Sequence, residues 1–350
     1  MLYIMTESRN LKNRENKEIL QKGGVQMILI LTHDGDLHAD AVIRHLKEKE
    51  IKYFRLNMEG LGESFFLHFE PEKNFFLLEN SKGIKLDFNS IKSIWYRRPR
   101  YRRGGQEIQT ETHKRFIEQE ERETWSGLWL SLSNAFWVNY PFYNLRASNK
   151  INQLNVALHL GFQIPKTLIT NKPSDALRFI EDHKKVVYKV LGKGRIERGE
   201  NELPLVFHTN IVESRHLAQI DGLATHPCLF QEYVEKEHEI RITILRDNVF
   251  AAKIDSQAEE ETKIDWRCNP VILKYTGIEL PGFFQKQCID LIKNLGLIFG
   301  AIDVIYNPEK GYVFLELNPN GQWLWIEDYT GLPISATLAE ILYKGGESNE

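Results

Sequence analysis

The chain has 350 residues, of which 42% are hydrophobic and 27% charged, with a formal net charge of −3. That is a globular composition with room for two or three sub-domains. It gives no general attraction to nucleic acid or to an anionic membrane, and no apolar run approaches the ~20 residues needed to cross a bilayer.

Residues 1–26 are polar and mixed in charge, with no secretory pattern. Lys22-Gly23-Gly24 is what the ribosome-binding sequence AAAGGAGG encodes when read as codons. Met27 is therefore expected to be the natural start, with residues 1–26 an extension ahead of it; a disordered arm is the alternative. From Met27, MILILTHDGDLHADAVIRHLKEKEIKYFRLN predicts strand, loop, helix and strand, the opening of an α/β domain.

FFLHFE, NFFLLE and IKSIWYRR follow as short strands between Asn, Ser and Gly turns. Residues 106–135 predict a helix whose acid-rich EQEERE leads into the apolar face WSGLWLSL, broken by NYPF. ASNKINQLNVALHLG predicts a helix with Ser148 as N-cap and Gly161 as stop. IPKTLITN, PSDALRFIEDH and KVVYKVLG read as strand, helix and strand. CLFQEYVEKEHEIRITILRDNVFAAKID reads as a strand, a link and a long hairpin, and the charged EEETKIDW as a loop. A helix, FFQKQCIDLIKNLGL, precedes two closing strands, IFGAIDVIYN and GYVFLELN. There is no internal repeat. Cys228, Cys268 and Cys288 are widely spaced and form no CxxC pair, as in a reducing cytoplasm.

Four places carry chemistry. Lys189 ends a β-run before the loop GKGRIERGE, a way to meet phosphates with a point charge and backbone N–H groups. Neither a GxxxxGK[ST] loop nor a GxGxxG turn is present. In QEYVEKEHEIRI, a strand leaving its sheet frees backbone groups at Glu232 and Val234 for an adenine edge. Glu239 is placed for ribose hydroxyls, and Arg241, on the same face, for a phosphate or carboxylate; an exposed charged hairpin is the plainer reading. Asp303 sits in an apolar strand, where an unpaired carboxylate is costly, so it needs a metal or an arginine. In FLELNPNGQWLWIE, period-two alternation puts Leu315 and Leu317 on one side and Glu316 and Asn318 on the other. If the last two strands pair through NPEKG, Asp303, Glu316 and Asn318 converge as oxygen ligands suited to Mg²⁺. Trp323 and Trp325 read as core rather than pocket wall.

Taken in order, Lys150, Lys189 with its loop, QEYV with Glu239, Asp303, and E-x-N at 316–318 resemble the ATP-grasp superfamily over roughly residues 145–345. IWYRRP (94–99), KIDWR (263–267) and NPNGQW (318–323) resemble the ligases of that fold that macrocyclise ribosomal peptides, the graspetide (microviridin-type) synthetases. The resemblance implies an α/β (α+β) ATP-grasp fold. Its expected parts are an N-terminal pre-ATP-grasp domain over 27–143, a central subdomain over 144–229 and a C-terminal subdomain over 230–345.

The resemblance also implies ATP and Mg²⁺. Lys150 and Lys189 are expected on the phosphates, Glu232 and Val234 on adenine, Glu239 on ribose, and Asp303, Glu316 and Asn318 on the metal. In this family ATP phosphorylates a side-chain carboxylate, and a hydroxyl or amine of the same peptide displaces the phosphate. Arg241 and Arg267 are the candidates for stabilising that acyl phosphate and its tetrahedral successor. Arg97 and Arg98 are candidates for the peptide-core site, with surface arginines as the plainer reading. Residues 249–268 would gate or dock the precursor peptide, and the turn at Pro319-Asn320-Gly321 would carry substrate toward the metal. The expected setting is cytoplasmic, with a leader-plus-core peptide as partner, neither nucleic acid nor membrane, and a homodimer compatible with the family. The alternatives are a ligase adding an amino acid to a protein or small molecule, and an inactive peptide-binding scaffold.

Overall fold

The computed structural model describes residues 27–347, except 74, 81–82, 84, 102–109, 193 and 197–204. Residues 1–26, with the extension expected there, and most of the loop after Lys189 lie outside the described residues. The chain divides into two compact units, one running to Pro141 and resumed at Pro333, the other spanning Phe142–Leu332.

The first unit is built on a parallel sheet of β1 (Met27–Thr32), β2 (Tyr53–Asn57), β6 (Ile91–Tyr96) and β7 (Phe136–Val138), in the order β2-β1-β6-β7. Every residue of β1 is buried, as an uninterrupted apolar run requires when both faces of a strand are covered. Helix α1 (Leu37–Glu48) starts at Asp36, whose carboxylate accepts the His38 amide as an N-cap. FFLHFE and NFFLLE do not join this sheet. They become β3 (Phe65–Glu70) and β4 (Phe75–Asn80), which pair with β5 (Lys85–Asp87) as a separate antiparallel sheet. Helix α2 (Glu111–Ser131) stacks Trp125 on Trp129, ring centroids 5.3 Å apart.

The second unit opens with two helices where the sequence predicts one. Helix α3 (Pro141–Ser148) ends at the residue expected as a cap, and Asn149 caps α4 (Lys150–His159) by accepting the Asn152 amide. A four-stranded antiparallel sheet follows. It contains β8 (Thr167–Thr170), β9 (Val186–Lys189), β12 (Asn210–Ile211) and β13 (Cys228–Glu232), in the order β12-β9-β13-β8. Helix α5 (Pro173–Asp182) connects β8 to β9, and α6 (Ser214–Leu217) follows β12. A short ribbon of β10 (Arg195–Ile196) and β11 (Leu205–Val206) precedes β12.

The largest sheet is antiparallel, in the order β16-β15-β14-β17-β18. Its strands are β14 (His238–Leu245), β15 (Asn248–Ile254), β16 (Tyr275–Ile278), β17 (Phe299–Asn307) and β18 (Gly311–Asn318). Helix α7 (Gly282–Asn294) covers one face and buries Phe284, Cys288, Leu291 and Ile292 in the unit's main core. The other face carries the charged side chains described below. Helix α8 (Leu324–Thr330) follows β18.

The last helix, α9 (Ile334–Glu347), belongs by its contacts to the first unit, where it packs on α1, β6 and β7. The sequence reading had grouped it with the C-terminal subdomain. Gly345 allows that packing, because a Cβ there would lie 2.0 Å from the Phe136 ring. No described helix is long and apolar enough to cross a membrane.

Candidate active site

Strand register brings the key charges into one row. Arg241 on β14 pairs with Asp303 on β17, and Asp303 pairs with Glu316 on β18. Directly opposed residues of neighbouring strands share a face, so all three point the same way. Glu239 lies two residues before Arg241 and shares that face. The β17–β18 pairing has a bulge at Leu315, opposite the Asp303/Val304 step. It corrects the expected alternation: Leu315 packs with Val234, Ile305 and Val313, while Leu317 joins the main core on the other face. One extra residue thus sets Leu315 beside Glu316 on the charged face and gives that face an apolar floor.

Asp303 has an arginine partner, one of the two kinds that its burial calls for. Arg241 Nη1 donates to both Asp303 oxygens at 2.8 Å, and Nη2 donates to the Gln322 carbonyl at 3.3 Å. Burial pushes the Asp303 carboxyl up; Arg241 opposes this and Glu316 reinforces it. Buried Arg241 Nε makes no hydrogen bond among the described residues, so a donor of this guanidinium is still available.

Glu316 is ringed by cations. Lys150 Nζ lies 3.2 Å from Oε2, and Arg267 Nη1 3.4 Å from Oε1. Burial alone would raise its carboxyl, but Lys150, Arg267 and Lys189 outweigh burial and hold it well below the usual range. Lys189 ends β9, and its ammonium makes no hydrogen bond or ion pair with any described residue. Burial lowers its ammonium to about 8, against the pull of Glu316 and with the push of Lys150 and Arg267. Lys189 is thus a third cation beside a carboxylate that already serves Lys150 and Arg267.

Arg267 is held by its neighbour in KIDWR. Its Nε and Nη2 donate to Asp265 at 2.8 and 2.7 Å, and its backbone amide donates to the same carboxylate at 3.1 Å. Trp266 sits between them in sequence and packs against Trp325 and Tyr275, with ring centroids 5.1 and 6.5 Å away. Trp325 is therefore a packing residue, as is fully buried Trp323, which lies 5.1 Å from the Phe299 ring.

Three expected site residues are partly engaged already. The Asn318 amide oxygen accepts the Asn320 backbone N–H at 3.0 Å, leaving its second lone pair to offer. The Glu232 backbone amide donates to Lys166 O at 2.9 Å, which corrects its assignment as a freed group. The Glu232 carboxylate is held by Lys310 at 3.0 Å. The Val234 amide has no partner among the described residues. Glu239 is buried and bonded to Lys236 at 2.6 Å.

In the turn Pro319-Asn320-Gly321 the glycine is closely packed, since a Cβ on Gly321 would lie 2.3 Å from Ala301 Cβ. Arg97 and Arg98 belong to the first unit. Arg97 is no surface residue: it is 1% exposed, with Nε 3.5 Å from Asp36. Arg98 is half-buried and has a left-handed backbone, φ 47°.

Gln153 is one residue the sequence reading passed over. Its side-chain amide accepts the Leu317 N–H at 3.0 Å and donates to Leu317 O at 2.7 Å. It thus fastens α4 to β18 one turn from Lys150 and one residue from Glu316. Its only sequence signal is a polar side chain on the apolar face of α4.

Among the described residues, no three or more His, Cys, Asp or Glu side chains gather as a metal site. Asp303, Glu316 and Asn318 offer two carboxylates and an amide. All-oxygen ligands of that number suit a Mg²⁺ that takes its remaining ligands from phosphates and water.

Residues 27–143 match the model of the MvdD pre-ATP-grasp domain, and residues 147–342 that of the RimK-like ATP-grasp domain. A RiPP-associated ATP-grasp ligase from Chryseobacterium gregarium, solved with ADP and a leader and core peptide, is 31% identical. The likeness covers 91% of this chain and 97% of that one, with a TM-score of 0.83. The macrocyclase MdnC from Microcystis aeruginosa MRC, bound to its precursor peptide MdnA, is 30% identical over 91% and 100%, TM-score 0.81. The macrocyclase MdnB from the same source is 28% identical over 91% and 99%, TM-score 0.74. No curated protein matches the sequence.

Proposed function

Since the chain belongs to the RimK-like ATP-grasp family and is an ATP-dependent ligase, we propose that it matures a ribosomally made precursor peptide by closing side-chain esters or amides. The observation that carries this reading is the likeness, over almost the whole of both chains, to two ligases that were each solved with a precursor or leader and core peptide.

In the proposed reaction an Asp or Glu side chain of the peptide attacks the γ-phosphorus of ATP and ADP leaves. A hydroxyl or amine of the same peptide then attacks the acyl carbon, giving up its proton as phosphate departs. The chain's own part is positioning and charge neutralisation. Lys189, without a counter-ion among the described residues, and Lys150 meet the phosphates. The Val234 amide and Glu232 carbonyl meet the adenine edge above Leu315, and Glu239 the ribose hydroxyls. Arg267 and the spare donor of Arg241 face the acyl phosphate. Asp303, Glu316 and Asn318 would hold Mg²⁺, which offsets phosphate charge when bound. With phosphate oxygens present, Lys150 and Arg267 have stronger partners than Glu316, which leaves that carboxylate for the metal. The reaction belongs in the cytoplasm, where ATP is supplied and free thiols such as those of Cys228 and Cys288 stay reduced.

The test is a mass spectrum of the short peptide encoded beside the gene, after incubation with the purified chain, ATP and Mg²⁺. Loss of one water per ring, dependent on ATP and absent with Glu316→Gln, is the expected result. An unchanged peptide mass with ADP still released points instead to an amino-acid ligase. Neither signal overturns the enzyme reading in favour of a binding scaffold.

A further inference from the structure

A buried lysine outside this catalytic set joins the sugar end of the site to the arginine loop. Lys236 lies between β13 and β14 with its side chain only 4% exposed. Its ammonium donates to Glu239 Oε1 at 2.6 Å and to the Ile264 carbonyl at 3.2 Å. The flanking loop residues are held as well. The Lys263 carbonyl accepts from Tyr233 Oη at 3.4 Å and from Gln257 Nε2 at 3.3 Å. Asp265 Oδ2 accepts the Thr209 amide at 3.2 Å while gripping Arg267.

Residues 260–272 contain three short 3₁₀ turns and no strand. With no ladder to fix it, the loop takes its position from these side-chain tethers, and the tether at Ile264 ends on the carboxylate assigned to ribose.

We propose that Lys236 is a positioning residue that couples occupation of Glu239 by ribose hydroxyls to the ordering of Lys263–Arg267, so that Arg267 is set when a ribonucleotide is bound. This rests on the nucleotide reading of Glu239 given above. Hydroxyls donating to Glu239 favour its charged form. In the free protein, burial raises that carboxyl against the pull of Lys236, with Asp265 and Asp303 adding to the rise. A fully charged Glu239 holds Lys236 in place, and the second donor of Lys236 holds the Ile264 carbonyl. Arg267 then follows, because Asp265 is the next residue along the chain.

The experiment is hydrogen exchange of the peptide spanning 262–268, with affinity measured on the same samples. The probes are ADP and 2′,3′-dideoxy-ADP, and the proteins are wild type, Lys236→Met and Lys236→Arg. In the wild type, saturating ADP slows exchange roughly tenfold, within the ordinary range of coupling between sites, while saturating dideoxy nucleotide does not. Lys236→Met binds ADP without the slowing, and Lys236→Arg recovers part of it. Equal slowing by both nucleotides in the wild type overturns the proposal, as does retained slowing in Lys236→Met. If Lys236→Met does not fold, the comparison of nucleotides on the wild type decides alone. Failure of the wild type to bind ADP removes the nucleotide reading itself, and the coupling with it.

Discussion

Arg241 and Asp303 occupy directly paired positions on β14 and β17, and one guanidinium nitrogen reaches both carboxylate oxygens at 2.8 Å. Removing one member of a buried pair leaves the other charged and uncompensated, at a cost of about 3–5 kcal/mol. Arg241→Met is expected to lose stability on that scale in urea unfolding. Adding Asp303→Asn to the same chain is expected to restore much of it. A single variant as stable as the wild type would show that the pair does not support the fold.

Gly321 is required by proximity rather than by backbone angle. A methyl there would lie 2.3 Å from Ala301 Cβ and 2.7 Å from Arg241 Nη2. Gly321→Ala is expected to lower stability by about 1–3 kcal/mol, the usual range for overpacking. It should also displace Arg241, so ATP turnover falls with it. Thermal unfolding and ADP release, measured on one preparation, check both effects together.

Gln153→Leu keeps the volume of the side chain but orphans the buried N–H and C=O of Leu317. Each unsatisfied group costs about 1–3 kcal/mol. With the α4–β18 fastening lost, Lys150 no longer stands opposite Glu316, and ADP affinity is expected to weaken on the order of tenfold, or about 1.4 kcal/mol. Calorimetric titration reads the affinity, and an unchanged value would separate the fastening from the phosphate site.

Lys189 gives the pH dependence. Burial lowers its ammonium to about 8 in the free protein. Bound phosphates favour the charged form, so the complex holds the proton more tightly than the free chain. Nucleotide binding above pH 8 therefore takes up a proton, and affinity falls by up to about tenfold per pH unit as the pH rises toward the higher pKa of the complex. Below pH 8 the lysine is already charged and its contribution is flat. Calorimetry in two buffers of different ionisation heat counts the proton, and Lys189→Met is expected to abolish the uptake.

Arg97 and Arg98 are adjacent yet should behave differently. Arg97 is 1% exposed beside Asp36. Arg97→Met is expected to lower the melting temperature more than Arg98→Ala does. Similar losses in both would mean that Arg98 also holds the first unit together.

Much of the site could be read from the chain. The E-x-N at the end of β18 and the lone acid in β17 are visible because a carboxylate is conspicuous in an apolar strand, and period-two alternation says which side chains travel together. Glu239 and Arg241 were placed on one face for the same reason. Side-chain partners that depend on register were harder. The bulge at Leu315 moves one leucine to the opposite face, and no local pattern in FLELN announces an extra residue. The end of the strand suggests a free Glu232 amide, but Lys166, just before β8, takes it.

The kinds of chemistry present are legible in the chain alone: oxygen ligands, phosphate-seeking lysines, two guanidinium groups, and the order in which they come. These follow from residue type and local period, which need no knowledge of distant contacts. Which of those groups neutralise one another is settled by the fold. Arg241 with Asp303, Lys150 and Arg267 with Glu316, and Lys236 with Glu239 are set by strand register, by a bulge and by loop tethers between segments far apart in the chain. It also decided that Lys189 is left without a counter-charge among the described residues. A charge balance is a sum over neighbours in space, and neighbours in space are what folding supplies.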